Sequence, residues 1–197
     1  HSQLTDMNYP LQFRFKIVAL APQIFVEDAQ GNTICYVKQK LFKLKEDIQI
    51  FSDSTKSRQI AAIKANKVID WSARYYFYDA AGTEIGSVGR QGMKSLWRAR
   101  YDVFNPGDDT TDFNLQEENP WSKVMDSLLG EIPIVGMLTG YMFHPSYIAT
   151  RSDGSPAMRV RKQPAMWEGK FTIEKLGDLS VQEETNLIYS FLMLLLL

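Results

Sequence analysis

The chain ends in "LIYSFLMLLLL" (residues 187–197), eleven residues in which Ser190 is the one small polar break. The preceding "SVQEE" contains a capping box, with Ser180 at the N-cap and Glu183 three residues later, which predicts that a helix begins there. An amphipathic surface helix would carry a polar stripe, whereas this helix is apolar on every side from Leu187 onward. It therefore needs an apolar surrounding, either lipid or the protein's own core.

The length of this helix argues against lipid. Eleven residues at about 1.5 Å each cover roughly 16 Å, whereas the hydrocarbon core of a bilayer is about 30 Å thick. An earlier start at Val181 would place Gln182, Glu183, Glu184 and Asn186 in the hydrocarbon. We therefore expect the helix to lie inside the protein, and we predict no transmembrane span.

The rest of the chain is predicted to be mainly β, because short aromatic and β-branched runs alternate with Gly, Asp, Asn and Pro. The strand candidates, about eleven or twelve in number, cover residues 13–20, 23–28, 33–39, 47–51, 59–65, 71–79, 84–90, 98–104, 140–150, 157–162 and 169–176. A barrel of that many strands is wide enough to enclose something. The predicted fold is a closed antiparallel barrel of about 12 strands around the hydrophobic C-terminal helix.

Three segments of the chain resemble one another: "DAQGNTICYVKQ" (28–39), "DAAGTEIGSVGR" (79–90) and "RSDGSPAMRVRK" (151–162). Each has Gly in its fourth position and Val six residues later, namely Gly31 and Val37, Gly82 and Val88, Gly154 and Val160. This pattern predicts a β-hairpin in which Gly takes a positive φ and the outgoing strand begins two residues on. The sequence therefore indicates a repeated hairpin unit.

An insertion separates the second and third copies of this unit. The acidic, polar stretch "NPGDDTTDFNLQEENP" (105–120) predicts an exposed loop or irregular edge. Asn119 and Pro120 then suit the start of a helix, and apolar residues follow at helical spacing until Gly130. We expect one domain over residues 1–197, with an acidic loop and a short amphipathic helix (near 120–129) inserted at about 105–130.

The net charge of −1 gives no basic excess, so nucleic-acid binding is not expected. The charge is nevertheless uneven along the chain. Residues 38–100 carry 13 Lys and Arg against 6 Asp and Glu, whereas residues 102–144 carry 1 against 8. Either the two segments form an electric dipole that docks to an acidic surface, or they interleave in space and cancel.

No set of residues indicates catalysis or metal binding. The glycine-rich segment 82–92 lacks the Lys-Ser/Thr of a phosphate loop, and Cys35 and His144 are far apart in sequence, each predicted to be structural. The acidic residues of the insertion lack calcium-loop spacing: Asp108, Asp109, Asp112, Glu117 and Glu118. We expect no catalytic residues, no metal and no cofactor, hence no enzyme, and we expect the aromatic residues to fill the barrel wall and its contact with the helix.

Four segments carry a resemblance to a known superfamily: residues 36–51, 78–104, 147–160 and 187–197. In this order the chain resembles the tubby C-terminal-like superfamily, which includes the phospholipid scramblases, and most of all its LURP-one-related branch. The resemblance implies a twelve-stranded barrel and does not imply an enzyme. The cysteine-rich and proline-rich stretches of scramblases are missing from this chain.

Tubby domains bind phosphoinositides through surface Lys and Arg, so the resemblance places a lipid-headgroup site on Lys38, Lys40, Lys43, Lys45, Arg98 and Arg100. The other interpretation is that these cations solvate strand faces and protect edges. The partner is then an anionic phospholipid or an unidentified protein. The alternatives are a structural or regulatory protein-interaction module with no lipid role and a scramblase-like membrane protein. A cytoplasmic location is expected, with peripheral membrane association as an option.

Overall fold

The computed structural model describes residues 7–18, 21–38, 47–66, 74–90, 100–107, 110–118, 146–163 and 169–196. Within these ranges the chain forms twelve strands followed by one helix. The elements are β1 (Leu11–Val18), β2 (Ala21–Glu27), β3 (Thr33–Lys38), β4 (Asp47–Phe51), β5 (Gln59–Ala65), β6 (Arg74–Asp79), β7 (Glu84–Arg90), β8 (Arg100–Phe104), β9 (Thr111–Glu117), β10 (Tyr147–Arg151), β11 (Pro156–Gln163), β12 (Gly169–Lys175) and α1 (Val181–Leu196).

The twelve strands form one closed antiparallel barrel, in which each strand pairs with its neighbours in sequence and β1 closes the barrel against β12. The predicted fold is confirmed. Because successive strands are antiparallel, odd-numbered strands begin, and even-numbered strands end, at one end of the barrel. The helix α1 follows β12 at that end, which we call the helix-entry end; the other is the opposite end.

The three repeated hairpins lie at the helix-entry end, between β2 and β3, β6 and β7, and β10 and β11. Their glycines have φ values of 84°, 84° and 87° at Gly31, Gly82 and Gly154. In each turn the glycine N–H donates to the carbonyl three residues earlier. The valines that follow six residues later are all buried. The predicted hairpin unit is therefore confirmed, and its copies recur every fourth strand around the barrel.

Side chains of alternate strand residues fill the barrel interior around α1. The inward rings of Phe13, Phe77, Phe113 and Phe171 are fully or almost fully buried. Every helix residue from Glu184 to Leu194 is buried as well. The helix has 16 residues and is about 24 Å long. The barrel strands have 5 to 8 residues and are about 17–26 Å long, so helix and strands have comparable lengths. The apolar tail therefore packs into the barrel, as predicted.

Polar contacts hold the first turn of α1 at the helix-entry end. The capping box is present: the Glu183 N–H donates to Ser180 Oγ (3.1 Å), and the Ser180 N–H donates to Glu183 Oε1 (2.9 Å). Arg151 at the end of β10 donates to both Glu183 oxygens, at 2.8 and 3.2 Å. Lys175 lies 2.7 Å from Glu184. These contacts fix where the helix enters the barrel.

One interior contact also sets the depth of α1. The side-chain amide of Asn186 donates to the Ile85 carbonyl (2.8 Å), and Gln182 donates to the same oxygen (3.2 Å). Asn186 lies directly against the backbone of Gly86, where a Cβ would be 2.5 Å from the Asn186 amide nitrogen. Strand β7 can accept the helix this closely because it has no side chain at that position.

The acidic insertion differs from its prediction. Residues Thr111–Glu117 are not part of a loop but form strand β9, paired with β8 and β10. Phe113 and Leu115 point inward and are fully buried, while Asp112, Asn114 and Gln116, which alternate with them, face outward. Burial of these two side chains outweighs the acidic, polar character of the segment. The helix predicted near 120–129 lies outside the described residues, and the single-domain organisation stays a prediction.

Candidate functional site at the basic end of the barrel

Charged residues separate along the barrel axis. At the opposite end we count the described residues in the nearer half of each strand and those directly adjoining it. They include nine Lys and Arg but only three Asp and Glu. The cations are Lys16, Lys38, Lys64, Arg74, Arg90, Arg100, Arg161, Lys162 and Lys170, and the acids are Asp47, Glu117 and Glu118. We therefore call the opposite end of the barrel the basic end. Asp102, at the midpoint of β8 and level with Arg74 across Gly89, belongs to neither end.

The helix-entry end has the opposite balance. Its described residues include six Lys and Arg against eleven Asp and Glu. The acids are Glu27, Asp28, Asp53, Asp79, Glu84, Asp112, Asp153, Glu174, Asp178, Glu183 and Glu184. Many of them serve the fold: Asp28 and Asp79, for example, each accept two backbone N–H bonds in their turns. Hydrogen bonds from Thr55 lower the pKa of Asp53.

Two of the six predicted lipid-site residues are described, and both lie at the basic end. Lys38 is the last residue of β3 and Arg100 the first of β8. In the twelve-strand barrel these strands are five places apart, so the two side chains lie on nearly opposite sides of this end. They share a rim and do not form one local patch. The positions of Lys40, Lys43, Lys45 and Arg98 lie outside the described residues.

The inner wall at the basic end carries polar side chains. Tyr101 on β8, Tyr147 on β10 and Glu117 on β9 face inward there. The Tyr147 hydroxyl lies 3.5 Å from Glu117 Oε1. Burial, followed by the nearby Glu117 charge, raises the pKa of Tyr147, and burial likewise raises that of Tyr101. Both phenols therefore stay neutral at physiological pH.

The expectation that aromatic residues fill the wall and contact the helix is wrong for a second set of rings, which alternates with the inward set and faces outward. Phe25 and Tyr36 stack with ring centroids 4.9 Å apart, and Arg14 lies 4.4 Å above Phe25. Further round the barrel the outward positions hold Phe51, Tyr76, Tyr78 and Phe104. The alternation in "RYYFYD" (74–79), with Phe77 inward, was the sequence signal that could have revealed them.

Other candidate groups are structural or lie apart. Cys35 is fully buried, and burial raises its pKa to about 12, which favours the neutral thiol at neutral pH. His144 lies outside the described residues. Asp112 and Glu117 are near opposite ends of β9 and face opposite sides of it. In the described part of the chain, no group of three or more His, Cys, Asp or Glu is placed to hold a metal ion.

Within the described ranges, none of the helical structure is both long enough and apolar enough to cross a bilayer.

A closed twelve-strand barrel around a hydrophobic C-terminal helix defines the tubby-like class of fold. A crystal structure of an Arabidopsis thaliana protein shares it, with a TM-score of 0.54 and 13% sequence identity over 99% of this chain and 97% of that one. The sequence profile of the LURP-one-related family matches residues 33–174, so this chain belongs to the LURP-one-related family. No curated protein sequence matches it significantly.

Proposed function

We propose that this LURP-one-related protein is a non-enzymatic binding module whose basic end associates with anionic phospholipid surfaces. The observation that carries the proposal is the separation of charge along the barrel axis: among the described residues, nine cations lie with three acids at one end and six with eleven at the other, and Asp102 lies midway. Such a distribution orients the molecule in the field of an anionic surface before contact. The proposal places the protein at the cytoplasmic face of a membrane, where anionic lipids are concentrated.

The expected strength of this association is moderate. Each Lys or Arg near an anionic bilayer contributes about 1 kcal/mol, and the effect decays within a Debye length of about 8 Å at physiological salt. Only the cations that reach the surface at the same time contribute. Binding should therefore be reversible, strongest at low salt, and dependent on the anionic lipid fraction rather than on one headgroup.

The test is co-sedimentation with vesicles of phosphatidylcholine, with and without phosphatidylserine, using matched charge variants. Arg100→Gln/Arg161→Gln removes two exposed cations from the basic end. Lys56→Gln/Arg58→Gln removes two exposed cations from the helix-entry end and changes the net charge equally. We expect the first pair to weaken binding by about tenfold to thirtyfold, from about 1 kcal/mol per cation, and the second to have little effect.

Two results would refute the proposal: no binding of the wild-type chain to phosphatidylserine vesicles at low salt, or equal weakening by both variant pairs. In the first case the protein-interaction alternative would take its place, and a stoichiometric protein partner in pull-down experiments would support it. The scramblase-like alternative makes a separate prediction, transfer of labelled lipid between leaflets, which the same vesicles can measure.

A further inference from the structure

Five of the hairpins that turn at the helix-entry end share a β-bulge. In each of them the second strand carries one extra residue near its start, opposite a single step of the first strand. The extra residues are Ile34, Ile60, Ile85, Asp112 and Ala157. The residues directly after them face the barrel interior and are Cys35, Ala61, Gly86, Phe113 and Met158. The first turns of α1 are thus surrounded by five similar positions.

Gly86 is the one of these five positions that has no side chain. Atoms of the Asn186 amide occupy the place where its Cβ would be, at 2.5, 2.6 and 2.7 Å from the ideal Cβ position. The extra residue before it, Ile85, accepts hydrogen bonds from Asn186 (2.8 Å) and Gln182 (3.2 Å). At each of the other four positions, a side chain would stand where the amide lies against Gly86. Strand β7 is therefore a distinct seat for the helix.

Other buried polar groups of α1 do not depend on the direction in which the helix faces. Ser190 Oγ donates to the Asn186 carbonyl (2.6 Å), and Thr185 Oγ1 donates to the Val181 carbonyl (2.8 Å). Both bonds lie within the helix, so they would persist if it turned or slid in the barrel. The apolar contacts of the remaining buried residues are non-directional. Asn186 thus supplies a directional contact deep in the interior.

The ion pairs at the rim hold the helix end less strictly. Arg151 contacts Glu183, and Lys175 contacts Glu184. Arg151 and Lys175 have long side chains that are partly exposed, so their charged ends can follow a small rotation or shift of the helix. The Asn186 amide is short and buried, and it cannot follow such a shift without losing its acceptor.

The choice of Asn at position 186 is not explained by stability alone. Its Oδ1 is buried and has no hydrogen-bond partner among the described residues. Burying an unpaired polar atom costs free energy that offsets what the bond from its amide nitrogen contributes. An apolar side chain of similar size would avoid this cost. In other helical assemblies, single buried amides of this kind fix the register at the expense of stability.

We infer that the contact of Asn186 with Gly86 and the Ile85 carbonyl determines the register of α1, meaning its depth and its rotation about its own axis. Apolar packing and the rim ion pairs would allow several settings of the helix among the five bulged hairpins. Settings that turn Asn186 away from β7 are disfavoured because they bury its amide against apolar side chains. Asn186 therefore makes the packing of the helix unique, and it adds little to the stability of the barrel.

Methyl NMR of the full-length protein can test this inference. Met193 is fully buried on α1, so the signal of its ¹³C-labelled methyl group reports the side chains around the helix, and Met193→Leu identifies that signal. Asn186→Leu replaces the amide with an apolar side chain of similar shape. It should split or broaden the Met193 signal while the thermal midpoint stays within about 4 °C of the wild type. The control Ser190→Ala removes a buried hydroxyl that bonds within the helix, and it should keep one sharp signal.

Extra Met193 signals in Asn186→Leu alone, with the thermal midpoint retained, support the inference. One sharp signal overturns it, because the register is then fixed elsewhere. A midpoint lowered well beyond this range also overturns it, since Asn186 would then act through stability. Extra signals in Ser190→Ala as well would mean that losing any buried polar group loosens the helix. Asn186→Ala serves as the second variant if Asn186→Leu does not fold, and failure of both to fold would contradict the inference.

Discussion

Replacing Gly86 with Ala should destabilise the barrel by disturbing its contact with α1. The new methyl group would lie 2.5 Å from Nδ2, 2.6 Å from Cγ and 2.7 Å from Oδ1 of Asn186. Asn186 is 2% exposed and donates to the Ile85 carbonyl, so any movement of its side chain disturbs a buried, hydrogen-bonded position. The helix must shift or the side chain must rotate away from its acceptor.

The size of the effect follows from these contacts. Overpacking a well-filled core costs about 1–3 kcal/mol, and loss of the buried hydrogen bond adds about 1 kcal/mol. Ala instead of Gly in a strand returns about 0.5–1 kcal/mol through the backbone. The free energy of unfolding should therefore fall by about 2 kcal/mol, measured by urea denaturation followed by circular dichroism.

The matched control is Gly89→Ala on the same strand, where the nearest atom would be 3.6 Å from the new Cβ. That change should be neutral or slightly stabilising. In an Asn186→Ala background the cost of Gly86→Ala should largely disappear, because the space then accepts the methyl group. Equal effects of the two glycine variants, or no coupling between positions 86 and 186, would refute this account of how the helix is seated.

Further predictions concern the start of α1 and the turns. Arg151→Met should lower the free energy of unfolding by about 1–2 kcal/mol in urea denaturation, because it leaves the half-buried Glu183 carboxylate without its cation. Burial raises the pKa of Glu183, but hydrogen bonds from Arg151 and Ser180 outweigh it and hold that pKa below 4.5. This contribution is thus complete above about pH 4.5 and lost as the pH falls through the folded-state pKa, and Glu183→Gln should flatten that acid limb in a pH series. Gly154→Ala should cost about 1 kcal/mol in thermal unfolding, since its φ is 87°. A chain truncated after Ser180 should aggregate in size-exclusion chromatography, and a folded monomer would contradict the barrel-core role of α1.

Much of the architecture could be predicted from local sequence patterns. The capping box, the all-round apolar tail and the three hairpins each depend on neighbouring residues, and the structure confirms all three. Strand β9 was missed because only Phe113 and Leu115 mark its inward face, in a segment that is otherwise acidic and polar. Their two-residue spacing predicts a strand with one buried face. The acidic, polar composition of the segment predicts a loop, and it was the stronger signal.

The basic end was harder to predict from the sequence, because it depends on the order and direction of the strands. The sequence showed positive charge over residues 38–100, and the structure spreads the described strands of that range, β3 to β8, around half the barrel. In the folded protein, positive and negative side chains separate along the barrel axis. Because consecutive strands run in opposite directions, residues of one barrel end occur in short groups throughout the chain, alternating with those of the other end.

Local sequence pattern was enough to predict the class of fold, because the eleven residues 187–197 have no polar side and are stable only in apolar surroundings, which the strands supply. Strand pairing determines which charges and rings lie side by side. Arg74 reaches Phe104, thirty positions away in number, because β7 places Ser87 and Gly89 between them, and no spacing in the sequence encodes that crossing. Local burial patterns are short-range properties of a chain, whereas a surface is made by strand pairing.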